Sequence, residues 1–152
     1  MQETDRRPLP DAVLFACNMN AVRSPMAEAL LRHYFPNKIY VDSVGVRAGE
    51  IDPFVIAVME EVGIDLKDHQ SKKFEQLEDT LFDLIISLTP EAHHNALELT
   101  RTMAVDTEYW PTQDPTIATG SREQRLESYR QVRDDLIERI RARFGVPPTQ
   151  KP

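Results

Sequence analysis

A cysteine, an arginine and a serine stand close together in the chain and could jointly bind and attack an oxyanion. Cys17 follows the apolar run AVLFA, and Arg23 and Ser24 follow it by six and seven residues, where a helix is predicted to begin. Backbone N–H groups at a helix N-terminus and in a curled loop bind anions, and an arginine guanidinium pairs with two oxygens at once. The same positive field would favour the nucleophilic thiolate form of Cys17. The segment therefore indicates a cysteine-dependent enzyme acting on phosphate or a similar oxyanion.

The elements that would position these residues are alternating strands and helices. Buried apolar runs predict strands at 12–16, 38–45, 82–88 and 102–106. Helical spacing and N-terminal signals predict helices at 24–34, 52–61, 89–99 and 121–144, with a short helix at 74–77 and Ser24 as the cap of the first. Such alternation predicts a parallel sheet whose ligands bind beyond the carboxyl ends of its strands. Cys17, Ser43, Thr89 and the predicted loop 107–120 should converge there.

Composition limits the class of protein. The chain has 152 residues, 41% of them hydrophobic, with a net charge of −7 and one cysteine. One folded domain is expected over 11–145, between a flexible leader at 1–10 and a flexible tail at 146–152. The negative charge argues against nonspecific nucleic-acid binding, and no apolar run has transmembrane length. A lone cysteine suits a reducing compartment, so we expect a cytoplasmic protein without membrane or nucleic-acid partners.

Each candidate residue also has a simpler structural interpretation. A lone cysteine at a strand end is commonly a small buried hydrophobe, although its spacing from Arg23 argues otherwise. Asp114-Pro115 is a common turn, yet it lies in the long loop at the ligand edge of the sheet. His69 is expected to support the site rather than act as a base. The pair His93-His94 lacks further ligands and is expected to be a solvated helix face, so neither a metal nor another cofactor is predicted.

The same segments resemble a known family. Residues 17–28, CNMNAVRSPMAE, look like the phosphate loop of the low-molecular-weight protein tyrosine phosphatases, whose fold and loop the thioredoxin-coupled arsenate reductases share. The resemblance extends to Asp42-Ser43-Val44-Gly45, Gly63-Ile64-Asp65, His69, the FDLIISL strand and Asp114-Pro115. We therefore predict an α/β three-layer sandwich with a four-stranded parallel sheet in the order 2-1-3-4 and helices on both faces.

The resemblance assigns roles to individual residues. It implies that Cys17 forms a phosphocysteine intermediate, that Arg23 binds the equatorial oxygens, and that Asp114 protonates the leaving group and then activates water. Ser24 would hydrogen-bond the sulfur, while Asn20 would hold the loop in a left-handed conformation supported by Ser43 and His69. The phosphate-binding loop would comprise Asn18, Met19, Asn20, Ala21, Val22, Arg23 and Ser24.

Three departures from the family pattern bear on function. Met19 stands where the family usually has glycine, Val22 where the phosphatases commonly carry a second cysteine, and Thr116-Ile117 where aromatic residues often follow the Asp-Pro. The chain also lacks the relay cysteines of thioredoxin-coupled reductases. The favoured prediction is a phosphomonoester hydrolase acting on phosphotyrosine or a similar aryl phosphate. The alternatives are an arsenate reductase using glutathione, mycothiol or glutaredoxin as external thiol, and a non-catalytic oxyanion-binding module.

Overall fold

The computed structural model describes residues 8–77 and 81–145. The strands are β1 (Ala12–Cys17), β2 (Tyr40–Gly45), β3 (Leu84–Ser87) and β4 (Asp106–Tyr109). The helices are α1 (Arg23–Tyr34), α2 (Pro53–Glu60), α3 (Pro90–Leu99) and α4 (Arg122–Phe144), with short 3-10 turns at Phe74–Gln76 and Pro115–Ile117. Most of the predicted leader (1–7) and the predicted tail (146–152) lie outside the described residues.

All strand pairs are parallel, and the strand order is β2-β1-β3-β4, as predicted. The central strand β1 is buried along its whole length because helices cover both faces of the sheet. Alternate residues such as Phe15 face a core shared with α1, α2 and α4, whereas Ala12, Leu14 and Ala16 face a smaller core beneath α3. The predicted three-layer arrangement is confirmed, and it brings the end of β1 to the middle of the carboxyl edge.

The fourth strand differs from the prediction. It runs over Asp106–Tyr109 and pairs with Leu84–Ser87, whereas the sequence analysis placed it at 102–106 and assigned 107–120 to a loop. β4 is the last strand of the sheet, so its side chains are half-buried or exposed and need not be apolar. The apolar pattern at 103–105 therefore indicated the wrong segment.

The remaining helix predictions are confirmed. α4 buries one apolar face along its length. α2 and α3 begin after Asp52 and Thr89, whose side chains accept hydrogen bonds from the Phe54 and Ala92 N–H groups. In 8–77 and 81–145, no helix combines the length and apolar character needed to cross a membrane.

Candidate active site

The loop between β1 and α1 turns its carbonyl groups toward the protein. The carbonyl oxygens of residues 17–19 accept hydrogen bonds at 2.7–3.0 Å from backbone N–H groups in 46–49, the continuation of β2, and the Ala21 carbonyl accepts one from Asp52 at 3.1 Å. Within the described part of the chain, the N–H groups of 18–22 donate no hydrogen bond. Unpaired N–H groups in a curled loop ahead of a helix form a concave anion site. The backbone is therefore arranged to bind an oxyanion.

Gly45 allows this loop to lie against the sheet. It pairs with Cys17 at the end of β2, and a Cβ built on it would lie 2.6 Å from the Asn20 nitrogen and 2.2 Å from the Arg47 carbonyl oxygen. Both are backbone atoms that cannot rotate away. A side chain at this position would push the loop off the strand ends.

Cys17 and Ser24 meet across the loop as the resemblance implied. The Cys17 Sγ and Ser24 Oγ atoms are 2.9 Å apart, and both side chains are buried. The prediction that Ser24 caps α1 is wrong: the helix begins at Arg23, and its N-cap residue Val22 makes no side-chain cap bond. The Ser24 hydroxyl is instead directed at the sulfur, where it can stabilise a thiolate.

Asn20 connects the loop to the adjacent strands. Its φ is +53°, and its Nδ2 donates to both Ser24 Oγ and Ser43 Oγ at 2.9 Å. Its Oδ1 accepts from the Lys72 backbone N–H at 3.0 Å and lies 3.3 Å from His69 Nε2. Asparagine tolerates the left-handed conformation better than most residues. The structure thus brings together all four residues predicted to support the loop, with His69 in its expected supporting position.

Glu28 extends this network, and the sequence analysis did not identify it as a site residue. It is buried in α1, accepts a hydrogen bond from Ser43 Oγ and pairs with Arg32, which also donates to the Val41 carbonyl at 2.8 Å. A buried carboxylate needs such partners. The signal for it in the sequence is its four-residue spacing from Arg32 within the predicted helix.

Arg23 is tethered at one end of its guanidinium group. Its Nη1 donates to the Thr112 carbonyl oxygen at 3.0 Å, whereas Nε and Nη2 make no hydrogen bond within 8–77 and 81–145. The Nε–Nη2 edge has the geometry that binds two oxygens of one anion. The loop after β4 therefore orients Arg23, a role that no sequence pattern indicated for Thr112.

Asp114 lies in the same loop, partly buried. Its Oδ1 accepts from the Thr116 hydroxyl at 2.6 Å and the Thr116 N–H at 2.9 Å. Burial raises the pKa of Asp114, but the hydrogen bonds from Thr116 and the positive charge of Arg23 outweigh it, so that the pKa lies below its ordinary value. Asp114 is consequently a carboxylate at neutral pH in the resting protein.

Cys17, Arg23 and Asp114 lie on one open cleft of about 410 Å³. It is lined by Cys17, Met19, Ala21, Val22, Arg23, Glu50, Ile51, Asp52, Pro53, Asp114 and Thr116. Its base is the loop that joins β1 to α1 (residues 18–22), which we call the oxyanion loop, and its walls combine apolar side chains with carboxylates. Met19 lines the cleft beside Gly49 and is 42% exposed, so an apolar side chain lies at the cleft surface; Ile117 is 78% exposed and does not line the cleft.

The wall at Asp52 is held in place by α4. The Tyr129 hydroxyl donates to Asp52 Oδ2 at 2.7 Å, and burial together with this bond raises the pKa of Tyr129 well above its ordinary value. At the opposite side, Thr89 Oγ1 donates to Asn18 Oδ1 at 2.7 Å, which ties the start of α3 to the loop. Ser43, Thr89 and the loop after β4 thus all contact the segment that follows Cys17, through Asn20, Asn18 and Arg23.

The described residues contain no group of three or more His, Cys, Asp or Glu side chains placed to hold a metal ion. His93 stacks on the Tyr109 ring, with centroids 4.8 Å apart, and His94 is exposed. Neither histidine lines the cleft.

The chain is similar to known proteins over most of its length. A family model described as low molecular weight phosphotyrosine protein phosphatase matches residues 12–144. An arsenate reductase of Shouchella clausii is 33% identical over 85% of this chain and 91% of its own, and a glutaredoxin arsenate reductase of Synechocystis is 34% identical over 84% and 92%. A solved arsenate reductase in an oxidized state superposes with a TM-score of 0.73 at 32% identity, covering 86% of this chain and 94% of that one. The chain therefore belongs to the low molecular weight phosphotyrosine protein phosphatase family and is similar to the arsenate reductases related to it.

Proposed function

We propose that this protein is an arsenate reductase that uses an external thiol. The observation that carries the proposal is the similarity, at 33–34% identity over more than four fifths of the chain, to proteins named arsenate reductases, one of them glutaredoxin-linked. The site supports it, because a buried thiol faces a loop of unpaired N–H groups beside an arginine fork. This is the alternative of the sequence analysis, and it takes precedence over the phosphomonoester hydrolase favoured there.

The first step is attack of the Cys17 thiolate on arsenic(V). A sulfur–arsenic bond forms while one oxygen leaves as water, taking its protons from the arsenate and the solvent. The N–H groups of 18–22 and the Nε–Nη2 edge of Arg23 would hold the remaining oxygens. Ser24 would donate to the sulfur and favour the thiolate, since its hydroxyl already accepts a hydrogen bond from Asn20.

The second step requires a thiol from outside the chain, because Cys17 is its single cysteine. The external thiolate attacks the Cys17 sulfur, the sulfur–arsenic bond breaks, and its electron pair leaves with arsenic as arsenite. A second thiol, from glutaredoxin or another glutathione, then attacks the mixed disulfide and releases Cys17. Two thiols supply the two electrons that reduce arsenic(V) to arsenic(III). The demand for reduced thiols agrees with the cytoplasmic location expected from the sequence.

Phosphomonoester hydrolysis is the second candidate, and a specific observation favours it. Cys17, Arg23 and Asp114 line one cleft, so a nucleophile, an anion-binding group and an acid–base residue are all present without a co-reactant. With a pKa below its ordinary value, Asp114 is better suited to activate water against phosphocysteine than to protonate a leaving group.

Paired assays on one preparation distinguish the candidates. We expect arsenite to form from arsenate only when a reduced thiol is added, either glutathione alone or glutathione with glutaredoxin, and Cys17→Ser to abolish it. Asp114→Asn should leave arsenite formation within about twofold but reduce aryl-phosphate hydrolysis on the order of a hundredfold, the scale of general acid–base catalysis.

Hydrolysis of aryl phosphate without arsenite formation would overturn the main proposal in favour of the second. If phosphate and arsenate bind but neither is turned over, the chain is an oxyanion-binding module, the third possibility left open by its sequence.

A further inference from the structure

Thr112 joins the loop after β4 to the oxyanion site. Its side chain is buried, its N–H donates to the Leu88 carbonyl at 3.1 Å, and its hydroxyl donates to the Trp110 carbonyl at 2.8 Å. Its own carbonyl oxygen accepts from Arg23 Nη1. Because Nη1 is fixed there, the orientation of the free Nε–Nη2 edge depends on where the Thr112 peptide lies.

Arg139 of α4 holds that peptide from the outside. Its Nη2 donates to the Pro111 carbonyl at 2.8 Å, and its Nη1 approaches Thr112 Oγ1 at 3.5 Å. Its Nε pairs with Asp135 one turn earlier at 3.3 Å, which orients the guanidinium toward the loop. These four residues line a surface cavity of about 390 Å³ that is separate from the Cys17 cleft.

We propose that Arg139 is a positioning residue for Arg23. Through its hydrogen bonds to Pro111 and Thr112, Arg139 fixes the position of the Thr112 carbonyl group. That carbonyl in turn orients the Nε–Nη2 edge of Arg23, which would bind the oxyanion. The same loop carries Asp114 two residues later. The inference rests on the oxyanion site at Cys17 and Arg23, and on neither of the two reactions proposed for it.

The test is the affinity for inorganic phosphate, measured by titration calorimetry well below the unfolding temperature of every variant. Arg139→Gln removes the guanidinium fork, whereas Arg139→Lys retains one donor for Pro111. We expect phosphate binding to weaken roughly five- to tenfold in Arg139→Gln, the scale of one lost hydrogen bond, and less in Arg139→Lys.

A matched control lies on the same helix. Arg130 binds Glu61, Glu123 and Glu127 and does not line the Cys17 cleft. Arg130→Gln should lower the unfolding temperature yet leave phosphate affinity unchanged, so that a general loss of stability is separated from a loss of positioning. Emission from Trp110, the single tryptophan, should shift in Arg139→Gln and not in Arg130→Gln.

Two outcomes would overturn the inference in different ways. Phosphate affinity within twofold of wild type in Arg139→Gln, with Arg23→Lys clearly weakened, would refute the role of Arg139 alone. Undiminished phosphate affinity in Arg23→Lys would refute the oxyanion site itself, and the role of Arg139 with it.

Discussion

Replacement of Asn20 with alanine probes the network that shapes the oxyanion loop. The side chain is fully buried; it donates to Ser24 and Ser43 at 2.9 Å in buried bonds and accepts from the Lys72 N–H at 3.0 Å in a partly buried one. Three such hydrogen bonds at about 1 kcal/mol each contribute about 3 kcal/mol. Alanine at a φ of +53° adds strain of about 1 kcal/mol. We therefore expect Asn20→Ala to lower the free energy of unfolding by about 4 kcal/mol.

Asn37 provides the control for the strain contribution. Its φ is +66°, but it is exposed and its side chain makes no hydrogen bond within the described residues. Asn37→Ala should therefore cost only about 1 kcal/mol, the strain of a left-handed alanine. The difference between the two variants isolates the network of Asn20.

Urea denaturation of both variants, analysed by linear extrapolation, measures these differences. Phosphate affinity provides the functional readout, and it should fall in Asn20→Ala but not in Asn37→Ala. If Asn20→Ala destabilises the protein no more than Asn37→Ala, the hydrogen bonds of Asn20 do not support the loop, and the reasoning is wrong.

Three further predictions concern single residues. Thr116→Val removes the hydroxyl bond that lowers the pKa of Asp114, so the pKa should rise. A lowered carboxyl pKa stabilises the fold above the pKa of the unfolded chain, about pH 4, and this stabilisation is lost as the pH falls through the pKa of the folded protein. The variant should therefore lose stability at pH 7, and the loss should shrink on acidification. A carboxyl pKa unchanged in a nuclear magnetic resonance titration would contradict this. Gly45→Ala should cost about 3 kcal/mol because its Cβ meets backbone atoms, and denaturation by urea within about 1 kcal/mol of wild type would exclude the clash. With Val22 in place of a second cysteine, Cys17 should over-oxidise in peroxide, and full recovery with reductant, followed by mass spectrometry, would count against it.

Much of the fold could be predicted from the sequence because its signals are local. The runs around Phe15 and Ile86 are apolar on both faces, as parallel strands covered by helices must be. The starts of α2 and α3 carry an acceptor side chain followed by proline, and both caps form. Positions of this kind depend on a few neighbouring residues, so spacing along the chain suffices to find them.

The two incorrect predictions, for Ser24 and β4, arise where the surroundings override a local rule. A serine before proline ordinarily caps a helix, but at Ser24 the hydroxyl is held by Asn20 and directed at Cys17. A strand is ordinarily marked by apolar residues, but at the edge of the sheet β4 pairs through its backbone while Asp106 stays exposed. In both cases the residue is determined by a partner outside the local sequence pattern: Cys17 and Asn20 for Ser24, and β3 for β4.

The residues that orient Arg23 and form the cleft wall come from parts of the chain distant from the loop that carries Cys17. We therefore expect one set of residues to provide the nucleophile and the anion site, and another set to determine the substrate. The thiol and the oxyanion loop lie within residues 17–24 and are expected to bind phosphate and arsenate alike, since the two anions share shape and charge. We expect the choice between reactions to depend instead on the cleft wall, where Glu50 and Thr116 approach from other elements, and on the loop to which Arg139 donates a hydrogen bond. Substitutions that change the reaction without weakening oxyanion binding should therefore be sought in the cleft wall, because substitutions within the loop should weaken the binding of phosphate and arsenate equally.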